Sequence, residues 1–192
     1  METLQEGITQ YTIRLSGIRP IMFDRYPGDN STKLEPLDKF YLNASGECGL
    51  PVLNFFSLLA AQNTPSVGKT FWGKGYKNLC MALMAYINFE ATEEDPTMAT
   101  IYDETGKAYR PDDPRIQVLA HVARTKQSTP NPTMRPIIPK GWCIRLRMDH
   151  QDNDMIKPPT IKKMLQQAGT LGLGTFRPIF GRFITEVQEV KA

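Results

Sequence analysis

The sequence has little from which to build a covalent or metal framework. Its three cysteines, Cys48, Cys80 and Cys143, are odd in number and widely spaced, which argues against a disulfide scaffold and for free thiols in a reducing compartment. Only two histidines, His121 and His150, stand beside them, and no Cys/His group has metal-ligand spacing. No window approaches the roughly 18 apolar residues that a bilayer requires. The first ten residues carry Glu2 and Glu6 and lack a basic start followed by an apolar stretch, so they do not read as a signal peptide. The expectation is a cytoplasmic chain with no membrane partner, no cofactor and no metal.

What is present is the composition of an ordinary folded protein, 41% hydrophobic and 22% charged over 192 residues. That length fits one domain, residues 1–192, with insertions at about 17–47 and 124–141. The net charge of +3 is unevenly spread. Residues 1–100 hold 8 Lys/Arg against 11 Asp/Glu, whereas residues 101–192 hold 15 against 9. A basic half in a near-neutral chain is the footprint of a polyanion-binding face.

Alternation from Tyr11 to Leu15 predicts a strand that turns Arg14 away from the core. Gly17 to Glu47, punctuated by Pro20, Pro27, Gly28 and Pro36, reads as an excursion with a short strand near Phe40–Leu42. Pro51 opens an apolar helix over residues 52–62 in which Asn54 and Ser57 are the polar interruptions. Asn63 to Gly75 reads as a loop, and residues 76–89 as a helix and then a short strand ending near Glu90. Two further strands are predicted over residues 116–123 and 142–149, the second placing Arg145 and Arg147 opposite its apolar side. Between them, prolines at 130, 132, 136 and 139 predict a flexible basic arm carrying Arg124, Lys126 and Arg135. Thr160 caps a helix with an apolar stripe at Ile161, Met164, Leu165 and Ala168, and Gly169 ends it. Strand, helix, two strands, helix and strand is the order of an α+β, ferredoxin-like antiparallel sheet, RRM-like, with two helices and long insertions.

The most informative segment runs from Ala168 to Phe183. Gly172 and Gly174 between a helix end and a strand permit positive φ and close approach of another backbone, while Arg177 and Arg182 bring fixed charge there. It is not a dinucleotide fingerprint, because Arg177 stands where the third Gly belongs and the loop follows a helix. Gly68-Lys69-Thr70 is not a phosphate-binding loop either, since Thr64 occupies the position of the required Gly.

The run Gly-Leu-Gly-Thr-Phe-Arg-Pro-Ile-Phe-Gly-Arg-Phe, residues 172–183, together with the Leu50–Phe55 helix start and the element order, resembles the RAMP superfamily of CRISPR-associated proteins. Within it the sequence is most similar to the backbone subunits that assemble along guide RNA. The resemblance implies an oligomerising RNA-binding subunit of a CRISPR-type effector or related ribonucleoprotein in antiviral defence. Its implied partners are guide RNA with or without paired target, copies of itself and other effector subunits. The expected contacts are Arg14, Arg145 and Arg147 on the open sheet face, Arg19, Arg124, Lys126 and Arg135 on the excursions, and Gly172, Gly174, Arg177 and Arg182 in the loop. An endoribonuclease on the same fold, using His121 or His150, is the alternative, as is a structural or inhibitory protein of a mobile element. Some backbone subunits cut target RNA through a loop aspartate, for which Asp24 and Asp29 are the candidates.

Overall fold

The structure, a computed structural model, describes residues 7–29, 31–61, 65–92, 95–124 and 130–190, with only the backbone for 121–124 and 130–132. In chain order the elements are β1 (Ile8–Gly17), β2 (Ile21–Met22), β3 (Tyr41–Leu42), β4 (Cys48–Pro51), α1 (Leu53–Ala60), α2 (Val67–Phe71), α3 (Tyr76–Tyr86) and β5 (Ile87–Ala91). They continue with β6 (Met98–Thr100), β7 (Gln117–Arg124), β8 (Pro130–Ile138), β9 (Cys143–Gln151), α4 (Pro158–Leu171) and β10 (Phe183–Glu189). No helix among the described residues is long and apolar enough to cross a membrane.

Period-two patterning builds the central sheet. Ile13 and Leu15 on β1, Ile144 and Leu146 on β9, and Ile87 and Phe89 on β5 are all buried, each contributing roughly 1.5–3 kcal/mol by leaving water. The strands order β10-β1-β9-β5, every neighbour antiparallel. With one helical crossover between β1 and β5 and another between β9 and β10, the architecture is the α+β ferredoxin-like fold. Helices α1 and α4 pack on the apolar face of this sheet, and Ile161, Met164, Leu165 and Ala168 are the buried stripe of α4.

The second core strand is β5, not the predicted strand at 116–123. That segment, β7, belongs to a separate sheet of order β2-β8-β7. The Pro-rich arm is a strand as well: β8 pairs with β7 over eight residues, from Gln117↔Ile137 to Arg124↔Pro130. The proline spacing explains why. Phe23 N–H donates to the Pro136 carbonyl at 3.1 Å, so even-numbered residues of β8 turn their main-chain groups away from β7. Pro130, Pro132 and Pro136 are all even, and their missing N–H groups fall on the side β7 does not use. On the other side β2 stops at Met22, just before the register position where Pro136 would have to donate.

Helix boundaries also moved. Pro51 ends β4, opposite Met98, and α1 starts at Leu53. Within the expected loop at 63–75, Ser66 Oγ accepts from Lys69 N–H and caps the short α2. Pro158 stands at the start of α4, where its lack of N–H is harmless, so Thr160 lies inside the helix. The helix runs through Gly169, whose bare backbone lies against the Phe183 carbonyl, and is capped at Gly172.

Candidate nucleic-acid interface

Local sequence dictates the shape of the glycine-rich loop. Gly172 (φ 80°) and Gly174 (φ 76°) adopt the left-handed conformations that ordinary side chains resist. The backbone that approaches them is the protein's own. A Cβ on Gly172 would stand 2.7 Å from the Phe180 carbonyl oxygen, and one on Gly174 would stand 2.4 Å from that of Met22. Thr175 N–H donates to the same Met22 carbonyl (2.9 Å) and Gly181 N–H to Pro20 (2.7 Å). The expectation that these glycines admit a ligand backbone is therefore corrected: they seat the loop on the segment that follows β1.

That seating leaves an open polar cavity of about 260 Å³ between the loop, the Met22–Asp24 segment and α1. Its polar lining comprises Asp24, Tyr41, Asn54, Ser57, Thr175 and Arg177. The side chains of Asn54, Ser57, Thr175 and Arg177 make no hydrogen bond or ion pair among the described residues, leaving them available to a ligand. Arg177 is half-buried, and desolvation lowers its pKa from the usual guanidinium value without bringing it near neutrality. An unpaired, partly desolvated guanidinium beside hydroxyl and amide groups is chemically suited to an anionic oxygen. Asn54 and Ser57 escaped the sequence prediction of binding residues, although the signal was present. They are the polar interruptions of an apolar helix, three residues apart and hence on one face.

Asp24 also lines the cavity but is already engaged. Its two oxygens pair with Lys39 Nζ (3.2 Å) and Arg135 Nη2 (2.7 Å). Arg135 is only 8% exposed and lies 5.0 Å above the Phe176 ring, its Nε and Nη1 buried without partners. It is thus a tether between β8, the excursion and the loop, not a contact on a free arm. Asp29 closes its own turn, accepting from the amides and hydroxyls of Ser31 and Thr32, which hold its carboxyl well below the usual range.

The open sheet face carries the other predicted arginines, each with a protein partner. Arg14 Nε donates to Cys143 Sγ at 3.4 Å, Arg145 lies 5.5 Å from the centre of the Tyr102 ring, and Arg147 is ion-paired with Glu90. Glu186 stands opposite Arg14 in register and Asp149 follows on β9. Three arginines face three carboxylates, so this face is not the strongly positive surface that sequence position suggested. Arg19 is exposed and donates to the Ile179 carbonyl at 3.3 Å, and Arg182 accepts Ile18 and Arg19 amides on its carbonyl while its Nε is buried without a partner. The Arg124 side chain and Lys126 lie outside the described residues, as does the His121 side chain. His150 is 2% exposed, its Nε2 donating to the Ile156 carbonyl (3.1 Å). No group of metal-ligating side chains occurs among the described residues.

No protein-family model matches the sequence, and no curated protein matches it. Among solved structures, one similar chain belongs to the cryo-EM structure of the Type III-B Cmr-beta bound to cognate target RNA. The TM-score is 0.56 at 11% identity, over 96% of this chain and 61% of that one. This chain therefore spans about three-fifths of that chain's length and shares its fold.

Proposed function

We propose that this chain is an RNA-binding, non-enzymatic subunit that oligomerises along guide RNA in a CRISPR-type effector or a related ribonucleoprotein. The observation that carries this reading is the polar cavity holding unpaired Arg177, set beside the glycine-rich loop. The fold shared with a chain of the target-RNA-bound Cmr-β structure supports it, as does the basic C-terminal half. RNA, further copies of the chain and other effector subunits are the proposed partners. A nuclease role through His150 is disfavoured, because a general acid or base must reach the substrate and this ring is enclosed. Metal-assisted cleavage through Asp24 would first require its release from Lys39 and Arg135.

Purification without nuclease treatment tests the proposal. RNA of discrete length in particles larger than the 21.7 kDa monomer is the expected result. A monomer that arrives free of nucleic acid and binds no single-stranded RNA would overturn it.

A further inference from the structure

Charge is arranged in opposite ways on the two sides of the central sheet. On the open face arginines meet carboxylates, but on the helical side there is no carboxylate to meet. From Cys48 to Phe89 and again from Lys157 to Thr185 the sequence contains no Asp or Glu, and those stretches supply α1, α2, α3 and α4. Lys69, Lys74, Lys77, Lys162 and Lys163 are the charged residues of these helices and of the turn joining α2 to α3, and all five are exposed. Lys74, Lys77 and Lys162 form no ion pair with any described residue. A surface that has only to be solvated intersperses the two signs; this one carries a single sign.

The lysines border exposed apolar side chains. Lys77, Met81 and Met84 follow one another at i, i+4 and i+7 along α3 and so share one side of it, with Met81 53% and Met84 59% exposed. Phe71, 43% exposed, ends α2. Trp72 after it ties this surface to α4, because its Nε1 donates to Gln167 Oε1 at 3.0 Å and Lys163 Nζ lies 5.4 Å from the centre of its ring. A phosphate backbone would use the lysines and leave Phe71 and the methionines in water. A helix with carboxylates flanking an apolar stripe covers both, and the flexible thioethers of methionine adapt to such a stripe. Among the described residues no α-helix of this chain carries an Asp or Glu, so a second copy cannot supply that helix.

We propose that the exposed side of α2, α3 and α4 docks an acidic amphipathic helix of a different protein, with Phe71, Met81 and Met84 beneath its apolar stripe and the lysines against its carboxylates. This surface lies across the sheet from the open face, and the proposal stands independently of the nucleic-acid reading above.

The test is selection from a displayed library of helical peptides against the full chain. Peptides enriched on the unaltered protein should carry Asp or Glu beside an apolar stripe at helical spacing, and this arm requires no variant to fold. Met81→Gln with Met84→Gln and, separately, Lys74→Glu with Lys77→Glu alter exposed positions, where the fold tolerates change. Each pair should weaken the enriched peptide about tenfold or more, the loss expected when interface anchors are removed. The same peptide with lysine at every acidic position should bind the doubly Glu-substituted protein better than the unaltered one. No enrichment, enrichment of peptides without carboxylates, or an enriched peptide indifferent to either pair of substitutions overturns the proposal. If single-stranded RNA is weakened tenfold by the lysine substitutions while the peptide ignores the methionines, the surface belongs to nucleic acid instead.

Discussion

Gly172 and Gly174 each combine positive φ with a carbonyl oxygen under 3 Å from where a methyl would sit. Alanine at either position should destabilise the protein by about 1 kcal/mol or more, read as a lower melting temperature, with RNA affinity following the folded fraction. A stable Gly174→Ala protein with lost affinity would restore the ligand-facing reading of the loop. Arg177 behaves differently because it supports no other residue. Arg177→Ala should leave the melting temperature within about a degree, since the side chain makes no hydrogen bond or ion pair among the described residues that the fold would lose and its partial desolvation is itself a cost that alanine removes. It should weaken RNA binding, and the salt dependence should become shallower by about one unit of slope. Arg145→Glu with Arg147→Glu should have the smaller effect on affinity, as both arginines already face protein partners. A larger loss there than at Arg177 would move the RNA path to the sheet face.

Among the elements, the loop from Tyr102 to Ile116 between β6 and β7 is organised by charge instead of apolar burial. Asp103 accepts from Thr105 Oγ1 (2.6 Å), Arg115 Nη1 (2.8 Å) and the amides of Lys107 and Thr105 (both 2.9 Å). The Thr105 hydroxyl first, then Arg115 and those amides, hold its carboxyl well below the usual range against the opposing effect of burial. Arg115 also grips Asp113 at 2.9 and 2.7 Å and lies 4.5 Å from the centre of the Tyr109 ring. A carboxyl depressed in the native state leaves the unfolded chain binding more protons in acid, so its stabilisation is complete above the unfolded value of about 4. That stabilisation drains away as pH falls toward the lower native value. Acid titration of the folded fraction should show this loss below about pH 4, and Asp103→Asn should flatten the dependence there. An identical acid limb in that variant would remove Asp103 from the account.

For the whole molecule, the sheet β2-β8-β7 is one of two additions to a bare ferredoxin-like fold, the other being the three-stranded sheet β3-β4-β6. The β7–β8 hairpin reaches the body through β2, through the 3₁₀ turn at Leu37–Lys39 and through the Arg135 tether to Asp24, while Val118 and Leu119 on β7 stay exposed. Exposed apolar residues on a projecting ribbon are suited to a partner. Replacing residues 122–132 with a Gly-Ser linker should therefore leave the central sheet folded by circular dichroism. Particles formed on RNA, sized by light scattering, should fall toward one copy per strand. Particles of unchanged size would exclude the ribbon from assembly.

Strand and helix identities over the central sheet were legible in the sequence, because burial of one face imposes a period of two or 3.6 on the chain itself. The stretch at 76–89, read as a helix and then a short strand, resolves as predicted, into α3 and β5, and the charge asymmetry together with the loop glycines pointed to the C-terminal half as the candidate nucleic-acid-binding region. Pairing was not legible. That β5 and not β7 joins β9, and that prolines confined to even-numbered positions leave one side of β8 free to pair, depend on which edge faces which, a relation that local periodicity does not contain. How the candidate site assembles lay beyond sequence for the same reason, although Arg177 was expected there and Asn54 and Ser57 stood out as polar interruptions. Tyr41 and Asn54 are far along the chain from Thr175 and Arg177, and only tertiary packing decides whether an arginine meets a carboxylate, as Arg135 and Arg147 do, or an open cavity, as Arg177 does.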